Sequence, residues 1–336
     1  MLGLEVRVRS ILEAIGHTPL VPLRRMIPQQ HVTLLAKLEF ISPTGSIKDR
    51  IARHIILKAE RDGLLKPGGT IIESSSGNTG AAIAMIAAAR GYRAVLVMPA
   101  KASIEKQLAA RALGAEVIVS PPDAKPGDPD HYVQKSLDLA REIPGAFRVN
   151  QYDNLDNPEA HYLSTGPEIW EQCGGRIDYF IAAGSTGGTV SGTGRYLKER
   201  NPALKVILPD PKGSIYASYF RTGSVDPSQK RKYQVEGVGK DHIVACMDFS
   251  VIDEVMTFTD HEAFGAARRL ARLEGILAGG SSGANVWAAT KLAERLDREA
   301  VIVTVLPDSG LKYLSKFFDE HWLAEHCGEP VSAAAD

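Results

Sequence analysis

Four short stretches of this sequence hold residue types that could act together chemically. The first is PTGSIKDR, residues 43–50, where Lys48 stands just inside the start of a helix, behind a Pro-Thr-Gly turn. An amine shielded from water at a helix N-terminus lies in a low dielectric and a positive potential, and both favour its neutral form. A neutral lysine amine is a nucleophile that makes Schiff bases with carbonyl carbons. The plain alternative is a solvated lysine followed by an Asp49/Arg50 pair. The second stretch is ESSSGNTG, residues 73–80. Backbone N–H groups at a helix start, joined by the hydroxyls of Ser75, Ser76 and Thr79 around Gly77 and Asn78, make a neutral cradle for a carboxylate; the same residues would serve equally as an N-cap and tight turn.

The third stretch, GSTGGTVSGTG at residues 184–194, follows an apolar strand. Gly187 and Gly188 let the backbone close around an anion. Ser185, Thr186 and Thr189 offer hydroxyls, and the helix that follows contributes its positive end, which together make a phosphate cup. No Gly-Lys-Ser/Thr ends it, and its glycines miss the Gly-x-Gly-x-x-Gly spacing, so a phosphorylated cofactor other than ATP or NAD is indicated. The fourth, GGSSGAN at residues 279–285, enters another helix; Ser281 or Ser282 either caps that helix or donates to a ring nitrogen of a heterocycle, and the sequence leaves both open. An imine-forming lysine, a carboxylate cradle, a phosphate cup and a neutral serine donor together describe a site for pyridoxal phosphate and an amino acid.

The elements that must position these residues follow a regular rhythm. From residue 32 onward, short apolar runs such as VTLLAKLE, TIIESS, AVLVMP and EVIVS alternate with stretches of helical period such as SIKDRIARHIILKAERDG, NTGAAIAMIAAARG and IEKQLAARALG. The rhythm resumes after PPDAKPGDPD, an exposed loop at residues 121–130, with AFRVNQ, DYFIAAG, a helix from about Thr189, KVILPDP and AVIVTVLPD. Strand and helix in alternation predict an α/β protein with parallel sheets covered by helices, and ligands in such sheets gather at the carboxyl ends of the strands. Residues 221–240 have no clear period and are expected to form a long surface excursion.

Composition excludes several other classes. The 39 basic and 40 acidic side chains nearly cancel, and no basic stripe with interleaved aromatics is present, so nucleic acid is not an expected partner. The N-terminal MLGLEVRVRSILEAIG is broken by Glu5, Arg7 and Arg9, which fits neither a signal peptide nor a membrane span. A soluble cytoplasmic protein is expected. Cys173, Cys246 and Cys327 are widely spaced and read as reduced and structural, and none of the nine histidines falls into a metal-binding spacing.

Taken in order, IGHTPLVPL, PTGSIKDR, SSGNTG, STGGT, GGSSG and LPDSGLKYLSKFFDEHW resemble the β family of pyridoxal-phosphate enzymes that contains cysteine synthase and cystathionine β-synthase, over nearly the whole chain. The resemblance implies the tryptophan synthase β-like fold, known as fold type II: two open, twisted, mostly parallel sheets covered by helices. It implies a smaller domain at residues 45–150 and a larger cofactor-binding domain at residues 1–44 plus 151–327, usually in a homodimer. By the same resemblance Lys48 would hold pyridoxal 5′-phosphate as an imine, Asn78 would contact the ring hydroxyl, Ser185, Thr186, Gly187, Gly188 and Thr189 would hold the phosphate, and Ser281 would face the pyridine nitrogen. Ser75, Ser76, Gly77, Asn78 and Thr79, with Gln151 of VNQYDN, would grip the substrate carboxylate, and Gly237, Val238 and Gly239 would line the substrate entrance.

The implied reaction is β-replacement on L-serine or an activated serine. PDPKGSIYA, NPEAHY and YQVEGVGKDHIV are most similar to the cystathionine β-synthase branch, which implies homocysteine as the nucleophile; cysteine synthesis from O-acetylserine or O-phosphoserine with sulfide is the alternative. Lys240 stands where that branch often carries an aromatic residue. Ser185 replaces the usual first glycine of the cup, as in diaminopropionate-pathway synthases that use O-phosphoserine and an amine. No haem and no paired C-terminal regulatory modules are expected.

Overall fold

The computed structural model describes residues 10–75, 77–100, 102–125 and 127–328, and divides into two units: residues 10–17 with 42–156, and residues 18–41 with 157–328. The chain first lays down β1 (Leu20–Pro22) and β2 (Val32–Leu38), an antiparallel pair of the second unit. It then builds the first unit: α1 (Lys48–Arg61), β3 (Thr70–Ser74), α2 (Asn78–Arg90), β4 (Arg93–Met98), α3 (Ile104–Ala112), β5 (Glu116–Val119), α4 (Tyr132–Glu142) and β6 (Phe147–Arg148). These strands form a four-stranded parallel sheet in the order β5-β4-β3-β6. Every residue of β3 and all but the first of β4 are buried, which is why β4 reads as an unbroken apolar run after Arg93, and neither strand shows the polar-out alternation of a half-exposed strand. On α1, Ile51, Ile55, Ile56 and Ala59 make the buried stripe at helical spacing, and α1 packs on the alanine-rich α2.

The second unit continues with α5 (Asp156–Leu163), α6 (Thr165–Gln172), β7 (Tyr179–Ile181), α7 (Gly188–Arg200), β8 (Lys205–Pro211), α8 (Tyr216–Thr222), β9 (Glu254–Phe258), α9 (Asp260–Glu274), α10 (Gly280–Ala293), β10 (Ala300–Leu306) and α11 (Glu320–Cys327). Its six-stranded sheet runs β1-β2-β10-β7-β8-β9 and is parallel except for the β1 edge. Leu34, Ile181, Ile207, Val286, Ala289 and Ile302 belong to one core of this unit. A second core centres on Phe258, Phe264 and Phe317, the last two stacked at 4.6 Å between ring centroids. Two mainly parallel, helix-covered sheets are the α/β architecture the sequence implies.

Two sequence expectations change. AFRVNQ does not extend as a strand beyond Arg148, because Asn150 adopts φ +53° and its N–H turns to the Glu73 carboxylate at 2.7 Å. Residues 221–240 are not surface throughout: a short 3₁₀ turn, Pro227–Gln229, is exposed, but Val235, Val238 and Gly239 are buried. The half-exposed β9 and the short α8 carry too little periodicity to stand out in the sequence.

Candidate active site

In the first unit, the turn before α1 is locked by Asp49. Its buried carboxylate accepts from the Thr44 N–H at 2.8 Å and from the Thr44 hydroxyl, while the Gly45 N–H closes on the Ser42 carbonyl at 2.7 Å with Gly45 at φ +71°. An acid in the first turn also complements the helix dipole. The lock fixes half-buried Lys48 as the first residue of α1, where its N–H meets Ser46 Oγ at 3.4 Å. Asp49 is therefore the keystone of the turn that presents Lys48.

At the carboxyl end of β3, the Ser75 hydroxyl accepts from the N–H groups of Gly77 and Gly80 at 3.3 and 3.2 Å, so the capping role foreseen for this stretch is real. Asn78 opens α2 and Thr79 lies buried in its first turn. Thr79 donates its hydroxyl proton to Gln151 Oε1 at 2.7 Å, and Gln151 Nε2 turns to Glu73 Oε1 at 3.4 Å. The structure thus brings Ser75, Gly77, Asn78, Thr79 and Gln151 together; Ser76 lies outside the described residues. Burial pushes Glu73 up from 4.5 to about 7, against the opposing pull of the Arg148 charge and the donors of Asn150 and Gln151.

In the second unit, residues 184–189 wrap the carboxyl end of β7 and enter α7. Gly187 sits at φ +84°, and a Cβ there would fall 2.6 Å from the Met247 Cα; at Gly188 a Cβ would fall 1.9 Å from Asn157 Oδ1. Only glycine fits either position. Among the described residues the N–H groups of Ser185, Thr186 and Gly187 have no acceptor. The frame around them is well bonded. Asn157 Nδ2 donates to Thr186 Oγ1 at 3.1 Å, His161 Nε2 lies 3.2 Å from Thr189 Oγ1, and the Tyr216 hydroxyl donates to the Ser185 carbonyl at 2.6 Å. Asn285 of α10 accepts from the Ala183 N–H at 2.7 Å and donates to the Val305 carbonyl at 2.8 Å, tying the ends of β7 and β10 together.

Ser281 and Ser282 stand in the first turn of α10. Both are buried, and Ser282 Oγ has no partner among the described residues. The Gly239 N–H donates to the Gly184 carbonyl at 2.8 Å, which seats the Gly237–Val238–Gly239 loop against the cup; Lys240 follows, its N–H on Ser214 Oγ at 3.1 Å. Asp210, at the end of β8, is buried, accepts from the Ala217 N–H at 2.8 Å and is pushed up to about 6 by desolvation. The three cysteines are free, and burial pushes Cys173 and Cys327 up to about 11. Among the described residues no His, Cys, Asp and Glu group is arranged to hold a metal, and no helix is long and apolar enough to cross a membrane.

Sequence reasoning had no role for Glu73, Asn157, His161 or Tyr216. The signals were present: a single charge inside the apolar run TIIES, and Asn157 with His161 at the i, i+4 spacing that puts them on one helix face.

Residues 11–308 match the family described as "Pyridoxal-phosphate dependent enzyme". The chain belongs to that family. Within it, the chain is 47% identical over 322 residues to the cystathionine beta-synthase of Apis mellifera, covering 94% of this chain and 62% of that protein. It is 41% identical to a probable cysteine synthase of Bacillus subtilis (strain 168), over 92% of this chain and 96% of the other. The crystal structure of O-ureido-L-serine synthase superposes with a TM-score of 0.84 at 38% identity, covering 94% of this chain and 99% of that one. The chain thus spans less than two thirds of the cystathionine beta-synthase from Apis mellifera, but nearly the whole length of the other two.

This pyridoxal-phosphate enzyme uses the cofactor its family is named for, and its residues fit that group. Three acceptor-less N–H groups at a helix start, in a loop whose two glycines leave no room for a side chain, are what a phosphate dianion requires. A buried serine pair at the start of α10 offers the uncharged donor a ring nitrogen would take.

Proposed function

We propose that this enzyme catalyses β-replacement on L-serine or an activated L-serine, with homocysteine as the nucleophile and cystathionine as the product. The observation that carries the assignment to cofactor chemistry is the phosphate cup, with its unsatisfied N–H groups and its two glycine positions closed to any side chain. The branch is supported by the 47% identity to a cystathionine beta-synthase.

The Ser185–Thr189 loop would hold the phosphate, the Asn78 amide would meet the ring hydroxyl, and Ser281 Oγ would donate to the pyridine nitrogen. When bound, the cofactor supplies an electrophilic carbonyl carbon and a ring that draws electron density from the substrate's α-carbon. A neutral serine at the ring nitrogen keeps that draw moderate, which suits loss of a β-substituent over prolonged charge at the α-carbon. Lys48 Nζ would hold the cofactor and would serve as the base that takes the α-proton. Ser75, Ser76, Gly77, Asn78 and Thr79, with Gln151, hold the substrate carboxylate and so fix which bond at the α-carbon is broken. Gly237, Val238 and Gly239 line the way in.

Cysteine synthesis is the second reading, supported by the 41% identity over nearly the full length of a probable cysteine synthase. Offering L-serine, O-acetylserine and O-phosphoserine in turn, each with homocysteine and sulfide together, and identifying products by mass spectrometry separates the two. Cystathionine as the dominant product supports the proposal; cysteine as the dominant product replaces it. If neither homocysteine nor sulfide is used, an amine nucleophile with O-phosphoserine replaces both readings, and Ser185 gains weight.

A further inference from the structure

Glu73 is the only charge on β3 and is 0% exposed. Burying a carboxylate in the middle of a sheet is costly unless it is bonded, and an apolar side chain would fill the same space. What Glu73 holds is specific. It accepts from the Asn150 N–H at 2.7 Å, in one of the two described non-glycine residues with positive φ, and from Gln151 Nε2 at 3.4 Å. Gln151 Oε1 in turn accepts from the Thr79 hydroxyl at 2.7 Å. A carboxamide can turn over with almost no change of shape while its donor and acceptor ends change places, so only its partners set its orientation. Above about pH 7, where Glu73 is ionised, its carboxylate accepts only; it fixes the NH₂ end of Gln151 toward itself and leaves the oxygen for Thr79.

We propose that Glu73 is a positioning residue for recognition of the substrate carboxylate: it holds the Asn150 turn and sets which end of the Gln151 amide the carboxylate meets. This rests on the reading of residues 75–79 with Gln151 as the carboxylate grip. Glu73 touches neither cofactor nor substrate in this account and acts through Gln151. Replacing it with glutamine keeps the shape but leaves one acceptor for two donors, so its NH₂ group faces either the Asn150 N–H, loosening that turn, or the NH₂ of Gln151, turning that amide over; either way the Gln151 amide loses its fixed orientation.

The test is calorimetric titration of L-serine and of L-serinamide, which lacks the carboxylate, into the cofactor-loaded protein and its Glu73→Gln variant, with the melting transition of each recorded. The expected result is that E73Q stays folded, keeps the visible absorbance of the bound cofactor, weakens L-serine roughly tenfold and leaves L-serinamide within about twofold. Equal weakening of both ligands, or of neither, overturns the proposal, because a purely structural role has no reason to single out the carboxylate. Glu73→Asp keeps an acceptor-only charge on a shorter arm and is expected to show the same selective loss in smaller measure. If both variants fail to fold, Glu73 is a structural support and the proposal falls. If the unaltered protein shows no preference for L-serine over L-serinamide, the carboxylate-grip reading itself is wrong, whatever the variants do.

Discussion

Lys48 and Glu73 show two ways in which position changes what a side chain does. Lys48 is made distinctive by its neighbours: the Asp49–Thr44 lock places it at the first residue of α1. Lys48→Ala is expected to leave folding intact, remove the visible absorbance of the loaded protein and lower turnover by several orders of magnitude. Normal absorbance and turnover in that variant would remove Lys48 from the proposed chemistry. Glu73 is made distinctive by burial, which raises it from 4.5 to about 7. The folded protein therefore holds a proton that the unfolded chain releases above pH 4.5, so stability attached to this group is greatest at low pH and declines as pH rises toward about 7. The full decline is roughly 3 kcal/mol. E73Q has no such proton to lose. Its melting temperature should therefore gain on that of the unaltered protein between pH 5 and 8, and a difference that stays constant over that range would contradict the assignment.

The elements act by excluding side chains as much as by supplying them. The cup exists because Met247 and Asn157 stand where Cβ atoms at Gly187 and Gly188 would have to go. Gly187→Ala combines a left-handed backbone strain of about 1–2 kcal/mol with a clash against backbone, and should weaken cofactor binding at least tenfold, as read by fluorescence titration of the apoprotein. Gly223→Ala is the matched control. It has φ +69° at the end of α8 and nothing within 4 Å of the added carbon, so it should cost about 1 kcal/mol of stability while cofactor affinity holds within twofold. Equal effects in the two variants would mean that strain alone, and not the shape of the cup, governs binding.

At the scale of the whole molecule, binding to the folded chain and not to the unfolded one must stabilise it by mass action. Pyridoxal phosphate at about one hundred times its dissociation constant should add about 2.7 kcal/mol and raise the melting temperature by roughly 4 °C. Hydrogen exchange should show the gain first at the N–H groups of residues 185–187; an unchanged melting temperature would argue against the cup as a phosphate site. Much of this protein was legible from its chain alone. Periodicity gave the α/β alternation, because strand and helix impose different spacings on apolar residues, and the four loop motifs were visible because glycine and small hydroxyl residues cluster at the turns that enter α1, α2, α7 and α10. Their similarity to a known family supplied the roles that spacing could not. Tertiary structure decided the rest. That Thr79 gives its proton to Gln151, and that Glu73 holds the other end of the same amide, depends on residues more than seventy positions apart being brought into hydrogen-bond reach. No local pattern carries that information, since a hydrogen bond across a sheet is set by strand order and register and not by the spacing of residues along the chain.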